Sequence, residues 1–189
     1  MIAKGHDIPN VTLVGVVSAD VGLGMPDFRA AERTFQLLTQ VAGRAGRGSV
    51  PGIVLMQTIN PDHYAVRMAA AQDYQAFYEK ELNFRRMMHY PPFSAMANVL
   101  VRGEKQEMAM RMSSELGVLL SPPPEKLRIM GPAAAPVPRL KSEYRYQFLV
   151  KAASRKALNE TMQRVRRFAL DHKWNATALA IDVDPLTLM

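Results

Sequence analysis

Two short apolar runs on either side of a helical pattern constrain the fold of this chain most strongly. The first run, VTLVGVVSAD at 11–20, is continuous and β-branched, which is typical of a parallel strand buried on both faces. The second run, PGIVLMQT at 51–58, is also strand-like. Between them, Phe35, Leu38 and Val41 fall on one helical face. The pattern predicts a strand-helix-strand unit of an α/β sheet.

The rest of the chain predicts a connector and a second α+β unit. The segment 61–89 has helix-favouring composition and stops at the Tyr-Pro-Pro sequence. We therefore divide the chain into an α/β part at 1–60, a helical connector at 61–92 and a small α+β domain at 93–189. In the last part, strand patterns at 94–103, 127–131, 144–151 and 179–185 accompany helices at 104–120 and 154–172 and a proline-containing loop at 132–143. This β-α-β-β-α-β order predicts a ferredoxin-like sandwich.

Positive charge is concentrated in the last third of the sequence. The net charge is +7, and residues 122–189 carry twelve Lys and Arg against six Asp and Glu. Such clustering is typical of a nucleic-acid partner, and a soluble basic domain without one is the alternative. No apolar run approaches the ~18 residues of a membrane helix, and no secretory signal is visible. With no cysteine in the sequence, we expect a cytoplasmic protein without disulfides or thiolate metal sites.

The stretch QVAGRAGR at 40–47 carries the strongest chemical signal. Arg44 and Arg47 are three residues apart, and their planar guanidinium groups match phosphate oxygens. Gly43 and Gly46 leave room for close approach. The alternative is a helix end, where cations complement the helix dipole and a glycine forms the cap.

Two motifs of the sequence resemble those of superfamily-2 helicases. QVAGRAGR is similar to the QxxGRxGR motif of the second RecA-like lobe, and AKGHDIPNV at 3–11 is similar to the motif in which Gly-x-Asp-x-Pro precedes a strand. Their order and separation fit that lobe. PDFRAAERTFQLLTQVAGRAGRG, RRMMHYPPF and LAIDVDP further resemble the primosomal replication-restart DNA helicases. This resemblance covers essentially the whole chain and is strongest through residue 93.

The resemblance implies a monomeric ATP-dependent 3′–5′ DNA helicase that acts in replication-fork restart and primosome assembly. This chain would be its C-terminal portion: part of the second RecA-like lobe, a connector and a basic domain. The ATP phosphate-binding loop and the Mg²⁺-binding acidic motif would lie on the first lobe, so the fragment alone is expected to be inactive. Zn²⁺ is expected only in the preceding part of the protein. Met1 would then be an internal residue or the edge of a fragment.

The resemblance also assigns roles at the nucleotide site. Arg44 and Arg47 would reach the γ-phosphate as arginine fingers. Gln40 would position phosphate or water, and Gly43 would line the same site.

The first motif implies a second group of contacts. Gly5 and Asp7 match residues that sense the nucleotide and touch the nucleic-acid backbone. Lys4 and His6 flank them, and we assign Lys4 to DNA. A plain loop histidine is the alternative for His6.

The segment PRLKSEYRYQ at 138–147 interleaves basic and aromatic residues, a pattern that can stack bases and hold phosphates. We predict that DNA is contacted by Arg139, Lys141, Tyr144 and Arg145. Tyr146 could also stack, but a core position is the simpler interpretation.

The resemblance implies further partners for the C-terminal domain. It would bind branched and single-stranded DNA, other primosome proteins, and the acidic tail of single-stranded DNA-binding protein. We match Arg155 to the carboxylate of that tail. Trp174 is interpreted as a packing residue.

A stand-alone nucleic-acid-binding or adaptor protein without ATPase activity is the alternative function. An enzyme of another class has little support, because the four histidines show no metal-ligand spacing and no Ser-His-Asp set is recognisable.

Overall fold

The computed structural model describes residues 10–46, 50–124 and 126–188. The chain divides into two compact units, 1–84 and 85–189. The division into parts at residues 60 and 92 stays a prediction. Within the described ranges, every helix is too short or too polar to cross a bilayer.

The first unit is built on two parallel strands. β1 (Leu13–Val16) pairs in register with β2 (Ile53–Met56). The helix between them is α1 (Ala30–Ala42), and a short 3₁₀ turn follows β1. Two further helices are α2 (Tyr64–Ala70) and α3 (Tyr74–Met87), the last three residues of which belong to the second unit. The α/β class and the predicted strand-helix-strand unit are therefore confirmed.

The core of the first unit lies between its helices. The rings of Phe35 on α1 and Phe77 on α3 stack with centroids 4.0 Å apart and planes 7° apart. Such stacked aromatic pairs stabilise a core beyond the area that they bury. The buried cluster comprises Ala19, Phe35, Leu38, Ala65, Val66, Ala69 and Phe77.

The prediction that the first strand is buried on both faces is wrong for the part of the chain that the structure describes. Leu13 is 60% exposed, and its partner Ile53 is 63% exposed. Leu55, on the same face, is 59% exposed. Among the described residues, only these two strands form the sheet. The strands have the composition of a sheet covered on both sides, but the described elements cover one side only.

The helix-favouring segment 61–89 forms two separate helices, α2 and α3. The chain turns at Gln72, which has a φ of 53°. The Asp73 carboxylate then accepts a hydrogen bond of 2.9 Å from the Ala76 N–H, as residues that begin helices do. No glycine or proline marks this break, so the helical composition hid it.

Asp20 ties together the loops that follow β1 and β2. Its carboxylate accepts hydrogen bonds from the Ile59 N–H at 2.9 Å, Thr58 Oγ1 at 2.8 Å and Asn60 Nδ2 at 3.0 Å. The bond from the Ile59 backbone is the main cause that lowers the pKa of Asp20. The ionised carboxylate therefore stabilises this loop pair.

Replacing Asp20 by asparagine is expected to destabilise the first unit at pH 7 and progressively less in acid. Because folding lowers the pKa of Asp20, its contribution is complete above the ordinary aspartate pKa of about 3.9 and is lost as the pH falls through the lowered value. The measurement is the denaturation midpoint of both proteins between pH 7 and pH 3. Asp62→Asn, at an exposed position of the same unit, is the matched control. A pH-independent difference for Asp20→Asn would contradict this interpretation.

The second unit is a four-stranded antiparallel sheet with two helices on one face. Its strands are β3 (Ala95–Gly103), β4 (Leu127–Leu140), β5 (Glu143–Ala152) and β6 (Leu179–Val183), in the order β4-β5-β3-β6. The helices are α4 (Gln106–Leu119) and α5 (Arg155–Asp171). The elements follow one another as β-α-β-β-α-β.

The core of the second unit lies between the sheet and both helices. Val99 on β3 pairs with Phe148 on β5, and both side chains are fully buried. Leu116 of α4 and Leu158 of α5 reach the same cluster. Met108, near the start of α4, lies outside this core and is 44% exposed.

The predicted loop at 132–143 is wrong, because most of it belongs to β4. This strand lies at the edge of the sheet and shifts register between Met130 and Ala133 and again between Ala134 and Arg139. An edge strand tolerates proline, since the N–H groups on its outer side have no strand to bond. The three prolines therefore marked irregularities within a strand rather than a loop.

Candidate nucleotide and nucleic-acid sites

The arginine loop, defined here as its described residues 43–46, begins where α1 ends. The Gly43 N–H donates to Thr39 O at 3.0 Å, and the Arg44 N–H donates to Val41 O at 3.0 Å. These bonds complete the last turn of the helix. Gly46 then takes a φ of 73°, a conformation that favours glycine.

The arginine loop lies against the amino ends of the two parallel strands. The Gly46 N–H donates to Val11 O at 3.0 Å, just before β1. Gly52 precedes β2, and a Cβ added there would overlap the Gly46 amide nitrogen and lie 2.7 Å from the Ala45 Cβ. The backbone therefore fixes the position of the loop, and a side chain at residue 52 would displace it.

The structure brings three of the predicted nucleotide-site residues together at the end of α1. Gln40 and Gly43 are exposed, and Arg44 is half-buried. Arg47 lies outside the described residues. The four residues predicted from the first motif, Lys4, Gly5, His6 and Asp7, lie outside them as well.

At this helix end, the positively charged Arg44 lies beside the partial negative charge of the helix dipole. The carboxyl end of a helix does not attract anions by itself, so phosphate binding here would depend on arginine side chains. The helix-cap alternative uses the same geometry. The loop geometry is compatible with both interpretations.

The predicted DNA contacts lie on the hairpin of β4 and β5. Its turn is formed by Lys141 and Ser142, with φ of 50° and 66°, as in two-residue hairpin turns. Arg139 and Tyr144 are paired across the strands, and the Arg139 guanidinium carbon lies 5.1 Å from the Tyr144 ring centroid. The hairpin thus holds a cation over an aromatic ring close to its tip.

Arg145 lies on the face of the sheet opposite to Arg139 and Tyr144. It follows Tyr144 in β5, so its side chain lies on the side of the sheet opposite the helices, and its Nη1 donates to Val137 O at 3.4 Å. Its strand partner is Arg102, which lies 3.6 Å from Glu143. Sequence reasoning missed Arg102, because only the register of β3 and β5 places it beside Arg145.

Arg155 is the first residue of α5 and forms an ion pair. Its Nη1 lies 2.6 Å from the Asp184 carboxylate, and its side chain is 68% exposed. A carboxylate of a partner would have to displace Asp184. Trp174 packs edge-on against Phe168, with centroids 5.7 Å apart, beside the core. This contact confirms the packing interpretation of Trp174.

Tyr146 is half-buried on the face that carries the helices. It pairs with Val101, which belongs to the core. The structure therefore favours packing for Tyr146.

Lys151 was not singled out in the sequence but is a buried cation of the second unit. It is only 6% exposed, its Nζ donates to Met88 O at 3.0 Å, and the same atom lies 3.4 Å from the Tyr90 ring centroid. Burial, and to a lesser extent Arg128, lowers the pKa of Lys151. This lysine fastens the segment before β3 to the end of β5.

No cluster of three potential His, Asp or Glu ligands occurs among residues 10–46, 50–124 and 126–188. A metal site built from the described residues alone therefore has no support.

Comparison with known proteins decides the family. A family model described as "Primosomal protein N C-terminal domain" matches residues 86–186, more than half of the chain. Replication restart protein PriA of Bacillus subtilis (strain 168) is 41% identical over 191 residues, which cover 100% of this chain and 24% of that protein. The chain belongs to the PriA family. This membership confirms the resemblance to primosomal replication-restart proteins.

Other PriA proteins match over the same extent. Those of Synechocystis (strain ATCC 27184 / PCC 6803 / Kazusa) and Haemophilus influenzae (strain ATCC 51907 / DSM 11121 / KW20 / Rd) are each 38% identical over 189 residues and 100% of this chain. The matches cover 22% and 26% of those proteins. The PriA-family chain thus spans about a quarter of the length of these relatives.

Proposed function

We propose that this chain is the C-terminal portion of an ATP-dependent 3′–5′ DNA helicase that restarts replication forks and assembles the primosome. It would supply the arginine side of the ATP site and a DNA-binding domain. The relatives are named replication restart proteins, and each is about four times longer than this chain. The remaining length would contain the lobe that binds the ATP phosphates and Mg²⁺, and any zinc site.

One contact carries the proposal for the ATP site. The hydrogen bond of 3.0 Å between the Gly46 N–H and Val11 O joins the arginine loop to the end of the AKGHDIPNV segment. Val11, the last residue of the first segment that resembles a helicase motif, therefore lies beside the described part of the second. This arrangement supports a role in which Asp7 and Gly5 respond to the same nucleotide as the arginines.

The chain's own residues would act on ATP by electrostatics. Arg44 and Arg47 carry permanent charges and would stabilise negative charge that develops on the transferring phosphoryl group. Gln40 would orient phosphate or water. A loop held by backbone contacts keeps such charges in position before the reaction, which is the condition for electrostatic catalysis. ATP hydrolysis would supply the free energy for movement along DNA.

The exposed apolar face of β1 and β2 supports a larger first lobe. Parallel sheets are covered on both faces, and a two-stranded sheet is marginal by itself. We propose that further strands and helices of a RecA-like lobe cover Leu13, Ile53 and Leu55. For the second unit, the strand order β4-β5-β3-β6 supports a ferredoxin-like sandwich.

The second unit would bind branched and single-stranded DNA through its hairpin, and single-stranded DNA-binding protein through Arg155. Its charge favours DNA binding, because the excess of cations falls in this unit.

We place such a protein in the bacterial cytoplasm, at the nucleoid. The same unit also favours the adaptor alternative, since it has a core of its own.

The double substitution Arg139→Gln with Lys141→Gln is expected to weaken binding of the 189-residue chain to forked and single-stranded DNA. Each lost phosphate contact should reduce the slope of log affinity against log salt by about 0.7 to 0.9. Fluorescence anisotropy with labelled DNA over a salt series measures both quantities, and parent affinity should be micromolar or weaker. Arg67→Gln with Lys80→Gln, at exposed positions of the first unit, removes the same charge as a control. A DNA affinity that does not change with salt concentration would refute phosphate contacts by these basic residues.

A further inference from the structure

We propose that the DNA interface of the second unit extends from the hairpin tip onto α5, where Arg164, Arg166 and Arg167 bind the phosphate backbone of the same DNA. The inference rests on the proposed DNA-binding function and adds a second part to its interface. It concerns three arginines that no motif of the sequence includes.

Strand pairing places the carboxyl half of α5 at the hairpin end of the sheet. Val101 on β3 pairs with Tyr146 on one side and with Leu179, the first residue of β6, on the other. The chain leaves β5 at the opposite end, returns through α5 and then enters β6. The Arg102 N–H donates to Ala178 O at 2.7 Å, which fixes the connection between α5 and β6 at this end. The hairpin tip projects from the same end.

The three arginines of α5 are exposed. Within the ranges that the structure describes, no carboxylate lies within 4.0 Å of Arg164, Arg166 or Arg167. Other arginines of the unit differ: Arg155 lies 2.6 Å from Asp184, and Arg111 lies 3.8 Å from Glu115. Arg164 and Arg167 are three residues apart on the helix surface, where like charges repel each other, and a bound polyanion would relieve that repulsion.

The helix dipole does not account for these cations. A cation near the end of a helix is favourable only within the last turn. The last turn of α5 contains no basic residue. The arginines therefore lie too far from the end of the helix to be explained as partners of its dipole.

The surface is suited to a nucleic-acid strand. Gln163, Arg166, Arg167, Leu170 and Asp171 line a shallow depression, in which Leu170 is 75% exposed and offers an apolar contact for a sugar or base. Asp171 also lines the depression, and its carboxylate would repel a phosphate placed beside it.

The hairpin tip extends four to five residues beyond Tyr146, or about 13 to 16 Å along the strand. From β5 to β6, two strand spacings across the sheet, the distance is about 10 Å at right angles to the strands. An interface of some 20 Å corresponds to about six base pairs of duplex DNA, at 3.4 Å each along the helix axis.

A protein partner with an acidic segment is the competing occupant. Nucleic acid is favoured because the arginines of α5 are at the same end of the sheet as Arg139 and Lys141. Two separate elements thus present cations at one end of the sheet, an arrangement that suits the extended row of charges on a phosphate backbone. A short acidic peptide would need only one of them.

The test replaces Arg164, Arg166 and Arg167 together by glutamine in the 189-residue chain. Three lost contacts should reduce the salt slope for a labelled 20-nucleotide single strand by about two units and weaken binding at 0.1 M salt by roughly tenfold to hundredfold. The control Arg67→Gln with Lys80→Gln and Arg111→Gln removes the same charge at exposed positions elsewhere and should leave the slope unchanged. Lysine at the three α5 positions keeps the charge and should retain most of the parent slope. Circular dichroism verifies that each variant is folded.

The outcomes separate this inference from the proposed function. If the α5 variant binds like its control while the hairpin variant is weakened, the inference is overturned and the DNA-binding function stands. If the parent chain shows no salt-dependent DNA binding, the proposed function fails as well. If the α5 variant keeps DNA binding but loses binding of a polyglutamate peptide that the parent binds, the surface belongs to a protein partner and the inference is overturned.

Discussion

Replacing Arg47 by alanine in the full-length PriA-family protein is expected to reduce DNA-stimulated ATP hydrolysis about 10³-fold or more. An arginine finger acts on charge that develops in the transition state, so kcat should fall much more than ATP affinity. The measurement is steady-state hydrolysis at saturating ATP, with nucleotide binding measured separately. Arg44→Ala should change kcat in the same direction. Arg47→Lys keeps the charge without the planar fork and should restore only part of the rate.

Two controls make this prediction specific. Arg67→Ala removes an exposed arginine of the first unit and should leave hydrolysis unchanged. The 189-residue chain alone should show no hydrolysis above background, with or without forked DNA. Turnover by that chain would refute an ATP site shared with another lobe. Normal kcat in the Arg47→Ala protein would refute the finger role.

Replacing Phe148 by alanine is expected to lower the free energy of unfolding of the second unit by about 3 to 5 kcal/mol. Phe148 is fully buried on β5, paired with Val99 and packed among residues of both helices. The substitution removes apolar contacts and leaves a cavity in a closely packed core. Chemical denaturation measures the change.

The matched controls differ in volume and in burial. Phe148→Leu fills most of the site and should be milder, at about 1 to 2 kcal/mol. Val118→Ala, at a position that is 75% exposed, should stay within about 0.5 kcal/mol of the parent. Equal effects at residues 148 and 118 would contradict the position of the core.

Local patterns sufficed for most elements of the fold. The sequence predicted a helix over 154–172, and α5 spans Arg155–Asp171 with Leu158, Met162 and Val165 buried. Local patterns failed where the structure depends on residues far apart in the sequence, or on a turn that no glycine or proline marks. The prolines of β4 are tolerated because this strand lies at the sheet edge, which no local signal reveals. The break at Gln72 depends on a backbone turn within a strongly helical composition.

Some features of the candidate sites were predicted from the sequence, and others were visible only in the structure. The sequence pointed to Gln40, Gly43 and Arg44 at the end of a helix, and the structure places them there. It did not predict that Arg145 lies on the opposite face from Tyr144, beside Arg102. It also gave no sign that Lys151 is buried under Tyr90.

The sequence by itself determined the α/β class, the family and the arginine-glycine motif. These depend on side-chain periodicity and on short residue strings, which are properties of neighbours along the chain. Only the tertiary structure decided which cations lie together and that the arginine loop contacts Val11, just before β1. Strand order and register create those neighbours, and they depend on pairing between residues that are far apart in the sequence.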